Sequence, residues 1–215
     1  MPASGNLSWQ SMSNDVLAAI EALDDGPVFA FGHSLGGACL LDAERRVPAT
    51  LRAAYVFEPI VVPPGFDSMT GRNPMADAAR RRRPGFATRL DALARYASRP
   101  PLGTFRADAL AAYVEHGFAD APDGTVVLKC LPESEALSFE AADKPLIAEM
   151  ATVDIPVVVA RGFRDRNPGP AAFAPAIAEA LPNGTVIGYA HLSHFGPFQD
   201  PDTIAEDVIA AFLPT

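Results

Sequence analysis

The stretch Gly32-His33-Ser34-Leu35-Gly36-Gly37 decides the fold because of what stands on either side of it. Before it, residues 27–31 form a short apolar run with no polar alternation. Such a run is typical of a strand buried on both faces of a parallel sheet. After it, residues 35–46 have a helical pattern. A Gly-x-Ser-x-Gly turn between a strand and a helix raises its serine from the carboxyl end of the sheet.

This turn predicts nucleophilic chemistry at Ser34. We expect Gly32 and Gly36 to lack the Cβ atoms that would collide where strand and helix approach each other. The backbone N–H of Leu35, at the start of the helix, would point toward a developing oxyanion. A tightly packed glycine-rich connection without chemistry is the alternative. A phosphate-binding loop is disfavoured because no Lys-Ser/Thr pair follows the glycines.

The rest of the chain repeats this arrangement of apolar strands and amphipathic helices. We therefore predict an α/β fold: a parallel sheet of about four strands with helices on both faces. The further predicted strands are residues 53–57, 155–160 and 185–190, and the further predicted helices are residues 9–23, 171–181 and 201–213.

Residues 63–150 interrupt the alternation, because they contain no buried-strand signal of the same strength. Proline and glycine punctuate this segment. We predict an inserted helical cap at residues 63–150 and a core formed by residues 1–62 and 151–215. The elements predicted inside the cap are helices at residues 90–97 and 108–117 and a short extended piece within residues 125–130.

Composition limits the classes of partner. The chain has 215 residues, 49% of them apolar, which excludes a disordered chain, and a formal net charge of −9. An acidic chain is a poor nucleic-acid binder, because phosphate binding needs a basic face. The single cationic run, residues 80–83, is interpreted as a solvated helical face. We predict no nucleic-acid partner.

The same composition predicts a cytoplasmic protein without a membrane partner. No stretch approaches the ~20 continuous apolar residues that a membrane span needs. Residues 1–14 lack the apolar centre of a signal peptide. Two cysteines, Cys39 and Cys130, are too few for a disulfide framework, and we expect each to be a small buried apolar side chain.

Three phrases give the chain a resemblance to the α/β-hydrolase family, and it extends over nearly the whole chain after Ser8. That resemblance implies a Ser, acid, His triad in chain order, a small-molecule acyl substrate, and no metal or organic cofactor. The phrases are Phe31-Gly32-His33-Ser34-Leu35-Gly36-Gly37, Val157-Val158-Val159-Ala160-Arg161-Gly162-Phe163-Arg164-Asp165 and His194-Phe195-Gly196-Pro197-Phe198-Gln199-Asp200-Pro201.

His194 is the predicted base. Ser34 is weakly nucleophilic as an alcohol and needs an imidazole within hydrogen-bond reach. His194 follows the last predicted strand, where the family places its histidine, whereas His191 stands at the end of the strand itself. A metal site at the two histidines is disfavoured, because the only further ligand nearby, Asp200, is better used as a helix cap.

Two carboxylates compete for the role of triad acid. Asp165 and Glu58 each follow a buried strand, at the edge of a parallel sheet where active sites collect. The resembled family more often takes its acid from the strand after the cap, in a Gly-x-x-Asp pattern that Gly162 and Asp165 match. We therefore prefer Asp165 to Glu58. An ion pair with the flanking arginines is the structural alternative for Asp165, whereas packing alone explains Glu58 poorly.

The resemblance also implies that part of the family's fold is missing. In the family several strands precede the serine, and a loop with His-Gly supplies a second oxyanion donor; no His-Gly precedes Ser34 here. Loss of one such donor costs about 10²–10³ in rate. The strand at residues 27–31 would then be a bare edge, which predicts self-association. We expect a chain that lacks N-terminal strands of the family.

We therefore predict a serine hydrolase, esterase-like or lipase-like, that forms an acyl-Ser34 intermediate. His194 would act as base and then acid, with Asp165 orienting it and the Leu35 N–H in the oxyanion hole. No metal or organic cofactor is expected. The alternative is a truncated or non-catalytic hydrolase remnant that binds a ligand or partner.

Overall fold

The structure is a computed structural model that describes residues 7–23, 26–66, 71–165 and 169–213. The strands are β1 (Val28–His33), β2 (Leu51–Phe57), β3 (Gly85–Phe86), β4 (Phe118–Asp120), β5 (Val126–Leu128), β6 (Val157–Gly162) and β7 (Gly184–Tyr189). The α-helices are α1 (Trp9–Leu23), α2 (Leu35–Arg46), α3 (Pro74–Arg80), α4 (Arg89–Ala97), α5 (Ala107–Gly117), α6 (Pro132–Glu140), α7 (Ala174–Ala180), α8 (Gly196–Gln199) and α9 (Pro201–Phe212). Short 3₁₀ helices occupy Leu102–Thr104, Ile147–Thr152 and Gly169–Ala172.

The larger sheet has four strands in the order β1-β2-β6-β7, and every neighbouring pair is parallel. Its register places Phe31 beside Tyr55 and Tyr55 beside Val158. The predicted α/β fold with a four-stranded parallel sheet is confirmed. Because the strands are parallel, their carboxyl ends lie at one edge, and the segments that follow β1, β2, β6 and β7 meet there.

Helices cover both faces of this sheet. A Cβ on Gly37 of α2 would lie 3.3 Å from the Val56 Cβ. The next residue back, Tyr55, belongs instead to a buried cluster with Ile204 of α9. Successive strand residues face opposite sides, so α2 and α9 lie on opposite faces. A right-handed crossover places α7 on the same face as α2, since both helices connect strands in the same lateral direction.

Strand β1 is an edge strand with exposed aromatic side chains. Phe29 and Phe31 are 45% and 43% exposed, and Phe29 stacks on Phe212 of α9 with ring centroids 5.0 Å apart. An apolar edge of this kind is a template for pairing with another chain. Self-association through residues 27–31 stays a prediction.

The chain divides into two compact units. One contains the described residues among 8–66, 143–197 and 201–215, including the parallel sheet. The other contains the described residues among 1–7, 67–142 and 198–200. The predicted division into domains at residues 62/63 and 150/151 stays a prediction, while the compact units change over in sequence at residues 66/67 and 142/143.

The inserted unit contains helices and a small sheet, and the short extended piece predicted within residues 125–130 is strand β5. It contains a three-stranded antiparallel sheet in the order β3-β5-β4. The strands have two or three residues each, too short for a two-residue alternation to be recognised in the sequence. Arg80 of α3 binds Glu133 and Glu140 of α6, at 2.9 and 2.6 Å. The cationic run therefore contributes an ion-paired residue to the packing of two helices.

The cysteines differ from each other. Cys39 is buried, and burial raises the pKa of its thiol to about 11, as expected for a packed side chain. Cys130 is exposed, so the expectation that it is buried is wrong. In the part of the chain that the structure describes, we find no helix with the length and apolarity to cross a membrane.

Candidate active site

Ser34 lies in a strained turn between β1 and α2. Its φ is 55° and its ψ is −120°, a left-handed conformation that non-glycine residues rarely adopt. The Ser34 N–H donates to the Phe57 carbonyl at 2.9 Å, and the Ser34 carbonyl accepts from the Ile60 N–H at 3.3 Å. Hydrogen bonds to the end of β2 thus hold the strained residue in place, as a functional turn requires.

Gly32 and Gly37 permit this turn. A Cβ on Gly32 would lie 2.7 Å from the Gly37 Cα, and a Cβ on Gly37 would lie 3.1 Å from the Gly32 carbonyl oxygen. A Cβ on Gly36 would meet no atom within 4 Å. The expectation for Gly32 is confirmed and that for Gly36 is wrong, because in the first turn of α2 it is Gly37 that faces the strand.

The structure brings His194 to Ser34. His194 lies in the turn after β7, with its Nε2 atom 3.1 Å from the Ser34 Oγ atom. The ring of His191 contacts Tyr189 instead. The predicted serine and histidine are 160 positions apart in sequence and within hydrogen-bond distance in space.

Glu58 is the carboxylate that contacts the imidazole. Its Oε2 atom lies 2.7 Å from the His194 Nδ1 atom, and its Oε1 atom accepts from the Gly162 N–H at 2.8 Å. Glu58 is only 1% exposed and has a φ of 44°. With a carboxylate at Nδ1, that nitrogen carries the proton, so Nε2 is free to accept from the Ser34 hydroxyl.

Asp165 binds the main chain of His194 and not its ring. Its Oδ2 atom accepts from the His194 N–H at 3.1 Å, and the side chain is exposed. This corrects our preference for Asp165 over Glu58 as the carboxylate at the imidazole. Strand order is the reason: β2, which precedes Glu58, neighbours β1, whereas β6 is one strand farther from Ser34.

His33, the residue before Ser34, also contacts His194. Its Nε2 atom lies 2.7 Å from the His194 carbonyl oxygen, so the ring donates there. Burial and the neighbouring His194 lower the pKa of His33 to about 4. The ring is therefore neutral at neutral pH and donates through an Nε2–H.

Leu35, whose N–H is the predicted oxyanion donor, lies at the start of α2. Leu35 is its first residue, and the first N–H groups of a helix have no intrahelical acceptor. A metal is not suggested by the arrangement of ligand-type side chains: the described residues contain no group of three or more His, Cys, Asp or Glu suited to hold one. The Glu58 carboxylate, the His194 imidazole and the Ser34 hydroxyl thus lie in series within hydrogen-bond distance of one another.

Sequence comparison identifies the same family as the resemblance. The family described as "Alpha/beta hydrolase family" matches residues 2–207. No curated protein matches the sequence.

Solved structures share the fold at low identity. One is E-2-(acetamidomethylene)succinate hydrolase, with a TM-score of 0.76 and 20% identity, covering 98% of this chain and 75% of that one. A second is the peroxisomal alpha-beta-hydrolase Lpx1 of Saccharomyces cerevisiae, with a TM-score of 0.78 and 17% identity, covering 97% and 59%. A third is a thermophilic esterase from Thermogutta terrifontis, with a TM-score of 0.65 and 18% identity, covering 95% and 71%. The chain thus spans about three fifths to three quarters of these proteins.

Proposed function

Because the chain belongs to the alpha/beta hydrolase family, we propose that it is a serine hydrolase that cleaves an ester-like acyl bond of a small molecule through an acyl-Ser34 intermediate. One observation carries the proposal. The Ser34 hydroxyl, the His194 imidazole and the Glu58 carboxylate form a continuous hydrogen-bonded series, at 3.1 and 2.7 Å. We assign them the roles of nucleophile, base and triad acid.

In the acylation step, His194 Nε2 takes the proton of the Ser34 hydroxyl as the Oγ atom attacks the substrate carbonyl carbon. The imidazolium that forms is stabilised by Glu58, which also keeps the Nδ1 proton in place. Collapse of the tetrahedral intermediate breaks the bond to the leaving group, which receives the proton from His194 Nε2. Water then attacks the acyl carbon with His194 as base, and the acid product leaves Ser34.

The Leu35 N–H is the proposed donor to the negatively charged oxygen of the intermediate. It stands directly after the nucleophile at the positive end of the α2 dipole, where an anion is stabilised. The bond type is also a proposal. An esterase and a succinate-derivative hydrolase are among the structural matches, but identities of 18% and 20% support the shared fold only.

Labelling with a fluorophosphonate tests the proposal without a known substrate. The activated Ser34 oxygen forms a bond to phosphorus, and fluoride leaves with the electron pair of the broken bond. We expect the folded chain to be labelled at Ser34 and Ser34→Ala to be unlabelled.

Ser98→Ala is the matched control. Ser98 is exposed at the end of α4 and donates only a local hydrogen bond to the Arg95 carbonyl, so this variant should be labelled like wild type. Circular dichroism establishes that each variant is folded. A folded wild-type chain that takes up no label would overturn the proposal and favour the non-catalytic remnant.

A further inference from the structure

The main chain of His194 is held from both sides by side chains that do not touch its ring nitrogens. On one side, the His194 N–H donates to Asp165 Oδ2 at 3.1 Å. On the other, the His194 carbonyl accepts from His33 Nε2 at 2.7 Å. The backbone atoms on both sides of the imidazole's attachment point are therefore fixed, in addition to the contact between the ring and Glu58.

The residue that donates to the His194 carbonyl, His33, is also the sequence neighbour of Ser34. His33 is the last residue of β1 and Ser34 follows it directly. One strand end thus carries both the serine and the donor that holds the main chain of its base. The two rings pack at a centroid distance of 4.8 Å, and Phe57 and Phe195 lie beside His33 at 6.1 and 6.3 Å, which confines the ring to this position.

We propose that His33 is a positioning residue, whose hydrogen bond to the His194 carbonyl sets the distance between the base and Ser34. The inference rests on the proposed function. Displacement of a reacting group by about 1 Å can cost on the order of 10² in rate, so a single bond that fixes this distance has a measurable effect. In this proposal His33 acts through His194 and takes no part in making or breaking bonds.

A purely structural role predicts a different result. If the bond only satisfied a partly buried carbonyl, its loss would lower stability and leave the reactivity of the folded protein unchanged. Two substitutions separate these cases. His33→Gln retains an N–H donor at about the distance of Nε2 from the backbone, whereas His33→Met has a side chain of similar length with no donor.

The measurement is the second-order rate constant for fluorophosphonate labelling of Ser34 in the folded full chain, from pH 5.5 to pH 9. We expect His33→Met to be slower by about 10–100-fold on the plateau, and His33→Gln to stay within about threefold of wild type. The ionisable groups that face this region include His194, Glu58 and Asp165. His33 itself is neutral over this range, so the pH midpoint of the rate should be the same in all three proteins.

Equal labelling rates for His33→Met and wild type would overturn the inference while leaving the proposed function intact. Equal losses in both variants would also overturn it, since the donor would then be irrelevant, and so would a shifted midpoint, which indicates action through charge. A wild-type chain that is not labelled overturns the proposed function and the inference with it. If His33→Met does not fold, His33→Asn replaces it, because its amide reaches only the position of Nδ1; we expect it to be about tenfold slower than His33→Gln.

Discussion

The ends of β2 and β6 each present a carboxylate to His194, and the two carboxylates hold different parts of it. Glu58 directly follows β2, is 1% exposed and binds the imidazole. Asp165 lies three residues beyond β6, is exposed and binds the main-chain N–H. Both side chains end in a carboxylate, so their positions in the fold determine which part of His194 each one binds. The carboxylate that reaches the ring follows β2, the neighbour of the strand that leads into Ser34.

Backbone strain distinguishes the two positions as well. Glu58 has a φ of 44° and Ser34 a φ of 55°, whereas Asp165 is not among the described non-glycine residues with positive φ. Each such conformation costs on the order of 1–3 kcal/mol and persists only where surrounding contacts enforce it. Here the Glu58 N–H donates to the Ala160 carbonyl at 2.8 Å and its side chain is held by the Gly162 N–H. Two of the three residues assigned to the triad, Ser34 and Glu58, therefore have a strained backbone, and Asp165 does not.

The different roles proposed for Glu58 and Asp165 are tested most directly by Glu58→Gln. The amide keeps the shape and can still accept from Gly162, but its NH₂ group faces His194 Nδ1 and favours the wrong tautomer. We expect the rate of labelling and of turnover to fall by about 10³–10⁴, as for the equivalent change in other triads. Kinetics on the folded variant measure this loss. A loss below tenfold would return Asp165 to consideration as the acid.

Gly162→Ala tests the close packing between the end of β6 and the turn that contains His194. The added Cβ would lie 2.3 Å from the Leu192 carbonyl oxygen and 2.9 Å from that of Ser193, so the turn before His194 must move. We expect a loss of about 3 kcal/mol in the free energy of unfolding and about 10² in labelling rate. Urea denaturation and labelling measure these. Gly117→Ala is the control, because a Cβ there meets nothing within 4 Å; equal effects in both variants would contradict the argument.

The pH dependence of the unfolding free energy tests whether His33 is held as the neutral ring that donates to the His194 carbonyl. Its pKa is about 4 in the folded protein and about 6.5 when exposed, so between these values the unfolded chain binds more protons. The stabilising contribution is complete above pH 6.5, decreases as the pH falls and is lost below pH 4. It amounts to on the order of 2–3 kcal/mol.

His33→Gln lacks this titration. As the pH is lowered from 7 to 4, the unfolding free energy of wild type should therefore fall by that amount more than the unfolding free energy of His33→Gln. Urea denaturation at a series of pH values measures it. A difference that stays constant over this range would show that the ring is not held in its neutral form.

Substitution of Asp165 should change the labelling rate much less than substitution of Glu58. Asp165→Asn keeps an acceptor for the His194 N–H, and we expect labelling within about threefold of wild type. Asp165→Leu removes the acceptor and should be slower by about tenfold, since one support of the main chain is lost. If Asp165→Asn instead matched the loss in Glu58→Gln, the assignment of the two carboxylates would be reversed.

Several features could be predicted from local sequence because they depend on neighbours along the chain. The strand, turn and helix around Ser34 were predicted because apolar periodicity and a glycine-rich turn act over a few residues, and α2 begins and ends where the pattern placed it. Of the inserted antiparallel sheet, only the extended piece that contains β5 was predicted, because strands of two or three residues have no periodicity and form by pairing with each other.

Sequence patterns alone predict the parallel sheet, the strand, turn and helix around Ser34, and the sheet edge where Ser34, Glu58, Asp165 and His194 lie. They leave both carboxylates as candidates, because each follows a buried strand. The tertiary structure shows that Glu58 contacts the imidazole, because the strand order β1-β2-β6-β7, which no single segment encodes, puts β2 next to β1. The hydrogen bond of His33 to the base likewise joins residues 161 positions apart. Local sequence patterns predict which residues follow each strand. The pairing of strands in the sheet determines which of these residues contact each other.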